Sequence, residues 1–275
     1  MKHLTQIFFV AKAEAETRLT GTRALVVAIL LVIGVALPNV LLLQEVGRVP
    51  ADKIAVLSHT RTRIVLQLYG TEAADALSTC PPDVVFFSVF LLLLLPVTVV
   101  ILGSDTIARD LQSGTIRFAA ARVPRPVWVA GKVLGLLLVV AAMLFALHFM
   151  AWSAGFLFHR PSFSMGALRW FPRLWVVTVA FATPYVAIAV FSSALTKSPA
   201  LSAIVGFAIL ASLWLAGVLA RVENLTVLAR WLPGTTDGGL LQASAPSVIG
   251  ALVVEATWAV LIFAAASASV SLREV

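Results

Sequence analysis

Few side chains in this 275-residue chain are spaced for covalent chemistry. His3, His59, His148 and His159 lie in separate segments with neither metal-ligand spacing nor a serine-nucleophile context. His148, beside Phe149 and Trp152, reads as an interfacial residue near the outer end of an apolar run. The single cysteine, Cys80, cannot form an internal disulfide and has no ligating neighbours. The one Gly-Lys pair, Gly131-Lys132, is followed by Val133, and Pro126 stands where a phosphate-cradling loop needs its first glycine. Glu255 is the one carboxylate inside a long apolar run, where a lipid-facing charge costs roughly 2.5–3.5 kcal/mol, so it is expected to face protein or water. Substrate passage and packing against another helix are both open to it. The remaining polar chemistry gathers between Gly103 and Lys132, and it is the chemistry of docking rather than catalysis.

The elements that position these residues follow from composition. Sixty per cent of the residues are hydrophobic, 12% are charged and mean hydropathy is +1.01. An ordinary soluble domain carries about 25% charge, so too few polar side chains exist to wet a surface. The chain is expected to be an all-α polytopic integral membrane protein, a single transmembrane domain over 1–275. A bilayer-crossing helix needs about 20 apolar residues. Six windows supply them, at about 24–43, 84–102, 133–152, 174–196, 198–220 and 248–272. A closed barrel would need alternating segments of about ten residues, which runs such as FFSVFLLLLLPVTVVIL are not.

An even number of spans places both termini on one side. With that side inside, eleven of the 20 Lys and Arg residues fall on inner segments and nine on outer ones, and the early basic residues flank the first span. Both termini are therefore expected in the cytoplasm. The net charge of +7 is then accounted for by topology and anionic lipid, without a nucleic-acid partner. A signal-peptidase site at Gly34-Val35-Ala36 would remove the first span, but Glu14 and Glu16 are too acidic for a signal leader and the apolar run continues to Leu43.

Ahead of the first span, Leu4, Ile7, Phe8, Ala11, Ala15 and Leu19 recur at helical spacing. Residues 1–22 read as an amphipathic elbow helix on the inner leaflet, with Glu14 and Arg18 as an i,i+4 pair. A plain helical extension of the first span is the alternative, which the break at Thr20-Gly21-Thr22 disfavours. Gly131 with Gly135, and Ser202 with Gly206, are small-residue pairs that permit close helix contact.

The cytoplasmic loop 103–132 is the most informative segment. Ser104 and Asp105 are expected to cap a helix continuing the second span, Ser113-Gly114 to break it, and Thr115 to Arg122 to form a short helix exposing Arg117 and Arg122. Pro124-Arg125-Pro126 then reverses the chain, Trp128 is expected at interface depth, and Gly131-Lys132 opens the third span. Composition alone favours an ordinary basic loop obeying positive-inside statistics.

Order and spacing here resemble the type-2 ABC transporter permeases, whose loop between helices two and three follows a Glu-x-x-x-Gly-Thr pattern. This chain has Asp110-Leu-Gln-Ser-Gly114-Thr115, with the shorter carboxylate in the glutamate position and Ala119-Ala120-Ala121 where Leu-Leu-Ser is common. The resemblance extends over nearly the whole chain. It implies that this loop is a coupling helix seated in a groove of a separate ATPase subunit, with Asp110, Gly114, Thr115, Arg117, Arg122, Pro124, Arg125 and Lys132 as the coupling residues. It further implies two permease copies or paralogues above two ATP-binding-cassette subunits, export across the cell's inner (plasma) membrane, no cofactor in this chain and ATP hydrolysis elsewhere. The segment Ser192 to Pro199 is similarly placed to the family's second, smaller contact. Arg230-Trp231-Leu232-Pro233-Gly234 suits a chain dipping back at the head-group level or, equally, a surface loop, and the resemblance implies short re-entrant helices there. An ATP-independent carrier or channel would call for several intramembrane charges or broken helices in matching halves, and only Glu255 answers that description. A non-transporting assembly subunit is the third possibility.

Overall fold

The computed structural model describes residues 2–36, 66, 71–157, 168–223, 225, 231–233, 237–241 and 245–272. Among them there is no strand, and the helices follow one another as α1 (Lys2–Leu19), α2 (Thr22–Leu31), α3 (Thr71–Ala76), α4 (Pro82–Gly103), α5 (Ala108–Ser113), α6 (Ile116–Ala120), α7 (Arg125–Leu157), α8 (Trp170–Leu195), α9 (Pro199–Val222), α10 (Asp237–Leu241) and α11 (Ala245–Ser271). Five of these, α4, α7, α8, α9 and α11, are long and apolar enough to cross a bilayer. They match the last five expected windows to within a residue or extend past them. The first window is occupied by α2 and a following π turn, Val32–Ala36; its remainder, 37–43, lies outside the described residues.

Apolar burial gains little inside lipid, so helix association there rests on close packing of small side chains. The central helix α8 is built that way. It touches α4, α7, α9 and α11, and Ala182, Ala187, Ala189 and Ala194 are almost fully buried along it. Gly103, at the end of α4, lets α8 come so close that a Cβ there would stand 2.5 Å from the Ala189 Cβ. Gly206 on α9 does the same against Val100, and the buried Ser192 and Ser202 hydroxyls meet at 3.5 Å beside it. Pro96 and Pro184 are both carried inside their helices.

The outer rows of α2, α9 and α11 carry exposed apolar side chains, including Leu25, Ile29, Ile204, Trp214, Leu215 and Leu261. In water such faces would aggregate; in lipid they are solvated. At 33 residues α7 is about 50 Å long by helical rise, well beyond the roughly 30 Å hydrocarbon core, so it projects past the bilayer. The projecting end carries the residues of interest below. Trp128 is buried there at 6% exposure, with the Lys132 ammonium 5.4 Å from its ring centre.

His148 is enclosed by protein. It has no exposed surface, its Nδ1 is 2.8 Å from the Leu144 carbonyl oxygen, and its ring meets those of Phe87 and Phe171 edge-on. Glu255 is buried at 2% exposure, about 15 Å along α11 from its start, turned into protein rather than lipid.

Candidate functional site

The loop between α4 and α7 folds as two short helices set across the projecting ends of the long ones. The chain leaves α4 at Gly103 and turns through residues 104–107, and the new helix α5 needs its first N–H groups satisfied. Ser104 and Asp105 do not cap it, contrary to their sequence pattern. The cap comes from α8: the Ser193 Oγ accepts from the backbone N–H groups of Ile107 and Ala108, each at 2.8 Å. Asp105 is thereby left to bind elsewhere, and Thr106 Oγ1 donates back to the Gly103 carbonyl at 2.6 Å.

The α5 helix ends at Gly114, whose φ of +73° is the left-handed conformation that favours glycine. Thr115 then turns its hydroxyl back, donating to the Asp110 carboxylate Oδ1 at 3.2 Å. In this way Asp110, Gly114 and Thr115 form one local turn and start α6 in a new direction. Along α6, Arg117 and Phe118 point outward, Phe118 at 76% exposure, and Arg122 follows, exposed, just beyond it. The chain reverses over residues 121–124, with Pro124 exposed, and Pro126 sits in the first turn of α7, where its missing N–H costs nothing. The guanidinium of Arg125 donates to the Ser271 carbonyl at 2.6 Å and so caps the end of α11.

Lys132, about two turns further along α7, binds Glu14 Oε2 at 2.6 Å and Asp110 Oδ2 at 2.7 Å. Glu14 in turn holds Arg18, which reaches Asp105 Oδ1 at 3.1 Å, Thr106 Oγ1 at 2.7 Å and the Leu102 carbonyl; Arg109 closes on Asp105 Oδ2 at 3.0 Å. Side chains of Glu14, Arg18 and Asp105 are less than a tenth exposed. Desolvated charges of this kind persist only where each is paired and hydrogen-bonded, and here every carboxylate has two partners.

Helix α1 enters this network because α7 offers it a groove. A Cβ at Gly131 would lie 2.5 Å from the Val10 Cβ, and one at Gly135 would lie 2.7 Å from the Ala11 carbonyl oxygen. The Gly-x-x-x-Gly pair therefore seats α1 against α7, burying Ala11 completely and drawing Glu14 down to Lys132. The apolar stripe read from sequence is split by this contact: Ala11 is covered, whereas Leu4, Phe8 and Leu19 stay open. The break expected at Thr20-Gly21 separates α1 from α2.

Of the sequence-selected residues, Asp110, Gly114, Thr115 and Lys132 are brought together, with Arg117, Arg122 and Pro124 on the surface they support. Arg125 faces α11 instead, and Glu255 is remote from this group. Sequence reasoning missed Glu14, Arg18, Asp105 and Arg109 as members of the site. The i,i+4 spacing of Glu14 with Arg18 and of Asp105 with Arg109 was the available signal, but nothing local joins the two pairs. In the segment 192–199, Ser192 and Ser193 are fully buried in α8, which leaves Leu195, Lys197 and Ser198 as its exposed part.

A bundle of apolar helices with a folded polar knuckle between two of the long spans is the architecture of a polytopic membrane protein. Residues 8–232 match the family of ABC-2 family transporter proteins, most of the chain, and the chain belongs to that family. It is thus a multi-pass membrane protein of a permease family whose members are membrane subunits, generally non-catalytic, that work with an ATPase subunit. A comparison with curated proteins found no match.

Proposed function

We propose that this chain is the membrane-spanning permease subunit of an ATP-driven exporter, working as a dimer or with a paralogue, with the α5–α6 knuckle docked on a separate ATP-hydrolysing subunit. One observation carries this reading: α6 presents Arg117 and Phe118 outward, with Arg122 exposed just beyond it, while its root is fixed by the ion-paired Asp110–Lys132–Glu14 group. An exposed aromatic flanked by arginines is the composition of an interface anchor, and a rigid root lets it transmit displacement.

On this reading the knuckle lies in the cytoplasm, both termini are on the same side and the membrane is the cell's inner (plasma) membrane. Closure of two ATPase subunits on ATP displaces α6. Gly114 and Thr115 set the angle at which α6 leaves α5, and the Asp110–Lys132 pair passes the movement to α7 and, through Glu14, to α1. Ser193 couples the same displacement to the central helix α8 through the first N–H groups of α5. The exposed Leu195, Lys197 and Ser198 supply a second, smaller contact beside it. Glu255, buried within the bundle, is read as a packing group.

The test is to replace Gly114 and Thr115 together and measure ATP hydrolysis and vesicle transport by the reconstituted complex. Hydrolysis that persists while transport falls supports coupling through the knuckle, and unchanged transport removes that role.

A further inference from the structure

Between α1, the end of α4 and the knuckle lies a cavity of about 470 Å³, many times the roughly 30 Å³ share of one water molecule. Four cations and three carboxylates line it. The carboxylates are already engaged: Glu14 by Arg18 and Lys132, Asp105 by Arg18 and Arg109, Asp110 by Lys132 and Thr115. Their acceptor oxygens are thus turned to internal donors. The cations are not all used. The Arg109 side chain is 59% exposed and gives one nitrogen to Asp105, and Arg122 is exposed with no ion-pair partner among the described residues. What the cavity offers a ligand is therefore guanidinium donors, a geometry suited to phosphate oxygens.

Its apolar boundary points to the source of that phosphate. Phe118 stands on one wall, and Gly21 and Thr22, the joint between α1 and α2, form another. Directly after this joint α2 turns Leu25, Val26 and Ile29 outward as exposed apolar side chains. A head group in the cavity would leave its acyl chains beside a helix face that is already apolar and lipid-solvated.

We propose that this cavity binds the phosphate-bearing head group of a membrane phospholipid, held by Arg109 and Arg122, with its chains along the outer face of α2. The site shares Phe118 and Arg122 with the proposed ATPase contact, but lipid retention is read on the permease alone and so is tested apart from that contact.

The full chain, purified into detergent, is incubated with phosphatidylglycerol, with diacylglycerol of the same chains, or with inorganic phosphate, and retained ligand is counted by native mass spectrometry. The expected result is one phosphatidylglycerol retained per chain, about tenfold above diacylglycerol. Arg122→Glu leaves every internal ion pair intact and lowers retention by about tenfold or more, and Arg109→Ala with Arg122→Ala does the same. Arg117→Ala removes one positive charge from α6 outside the cavity and leaves retention unchanged. Equal retention of diacylglycerol, or an equal loss in Arg117→Ala, overturns the site. Displacement of the lipid by millimolar inorganic phosphate with the same arginine dependence assigns the cavity to a soluble phosphate and overturns the lipid assignment.

Discussion

Asp110 Oδ2 lies 2.7 Å from the Nζ of Lys132, an ion pair that ties the first turn of α5 to the third turn of α7 and so closes the knuckle into a loop. With only 12% of the Lys132 side chain exposed, this is not a screened surface contact. Lys132 also holds Glu14, so one ammonium fixes three elements that are far apart in the sequence.

Lys132→Ala is expected to destabilise the permease by about 2–3 kcal/mol, because it strips a partner from two carboxylates that stay in place. Thermal unfolding in detergent measures it. Combined with Glu14→Ala, the loss should fall short of the sum of the single effects by about 1 kcal/mol or more, and strict additivity would deny that the two side chains interact.

At Gly114 the backbone, not crowding, sets the requirement, since nothing lies within 4 Å of where a Cβ would stand and φ is +73°. Gly114→Ala should cost about 1 kcal/mol, and Gly114→Asn less, because asparagine tolerates this conformation better. Equal unfolding temperatures for the alanine variant and the parent would contradict the left-handed turn.

Gly131→Leu should lift α1 from α7, since even a Cβ would collide with Val10. A cysteine placed at Ala11, which has no exposed surface, reports the event by its reaction with a thiol reagent. Labelling should rise about fivefold or more in the Gly131→Leu background, as expected for losing about 1–3 kcal/mol of packing. Unchanged labelling would mean that the glycine pair does not seat α1.

The membrane class and the five long helices were legible because a bilayer demands long uncharged runs, and no tertiary detail alters that demand. The turn at Gly114-Thr115 was legible for a comparable reason, since a left-handed helix end calls locally for glycine. What could not be read was set by contacts between distant segments. Ser193 caps α5 from another helix, which freed Asp105 from the capping role its position suggested. His148 has aromatic neighbours in sequence, but it is Phe87 and Phe171, from other helices, that enclose it. Glu14 was visible as a partner of Arg18, yet its second partner, Lys132, depends on the closeness that Gly131 and Gly135 permit.

Glu255→Gln should leave transport intact, as a group that packs without carrying substrate or charge would, while Glu255→Ala lowers stability by about 1–3 kcal/mol through loss of buried polar contacts. Flux in vesicles, set beside thermal unfolding, separates the roles. Abolished transport in a stably folded glutamine variant would place Glu255 on the substrate's path.

The most direct test of coupling uses a photo-crosslinking residue in place of Phe118, introduced in native membranes that contain the whole transporter. The expected product is a covalent adduct between this chain and an ATP-binding subunit, formed from the cytoplasmic side; without the probe, Phe118→Ala should weaken binding of the ATP-binding subunit about thirtyfold by removing an anchor worth about 2 kcal/mol. A probe reached only from the outer face, or one that captures no ATP-binding chain, would contradict it.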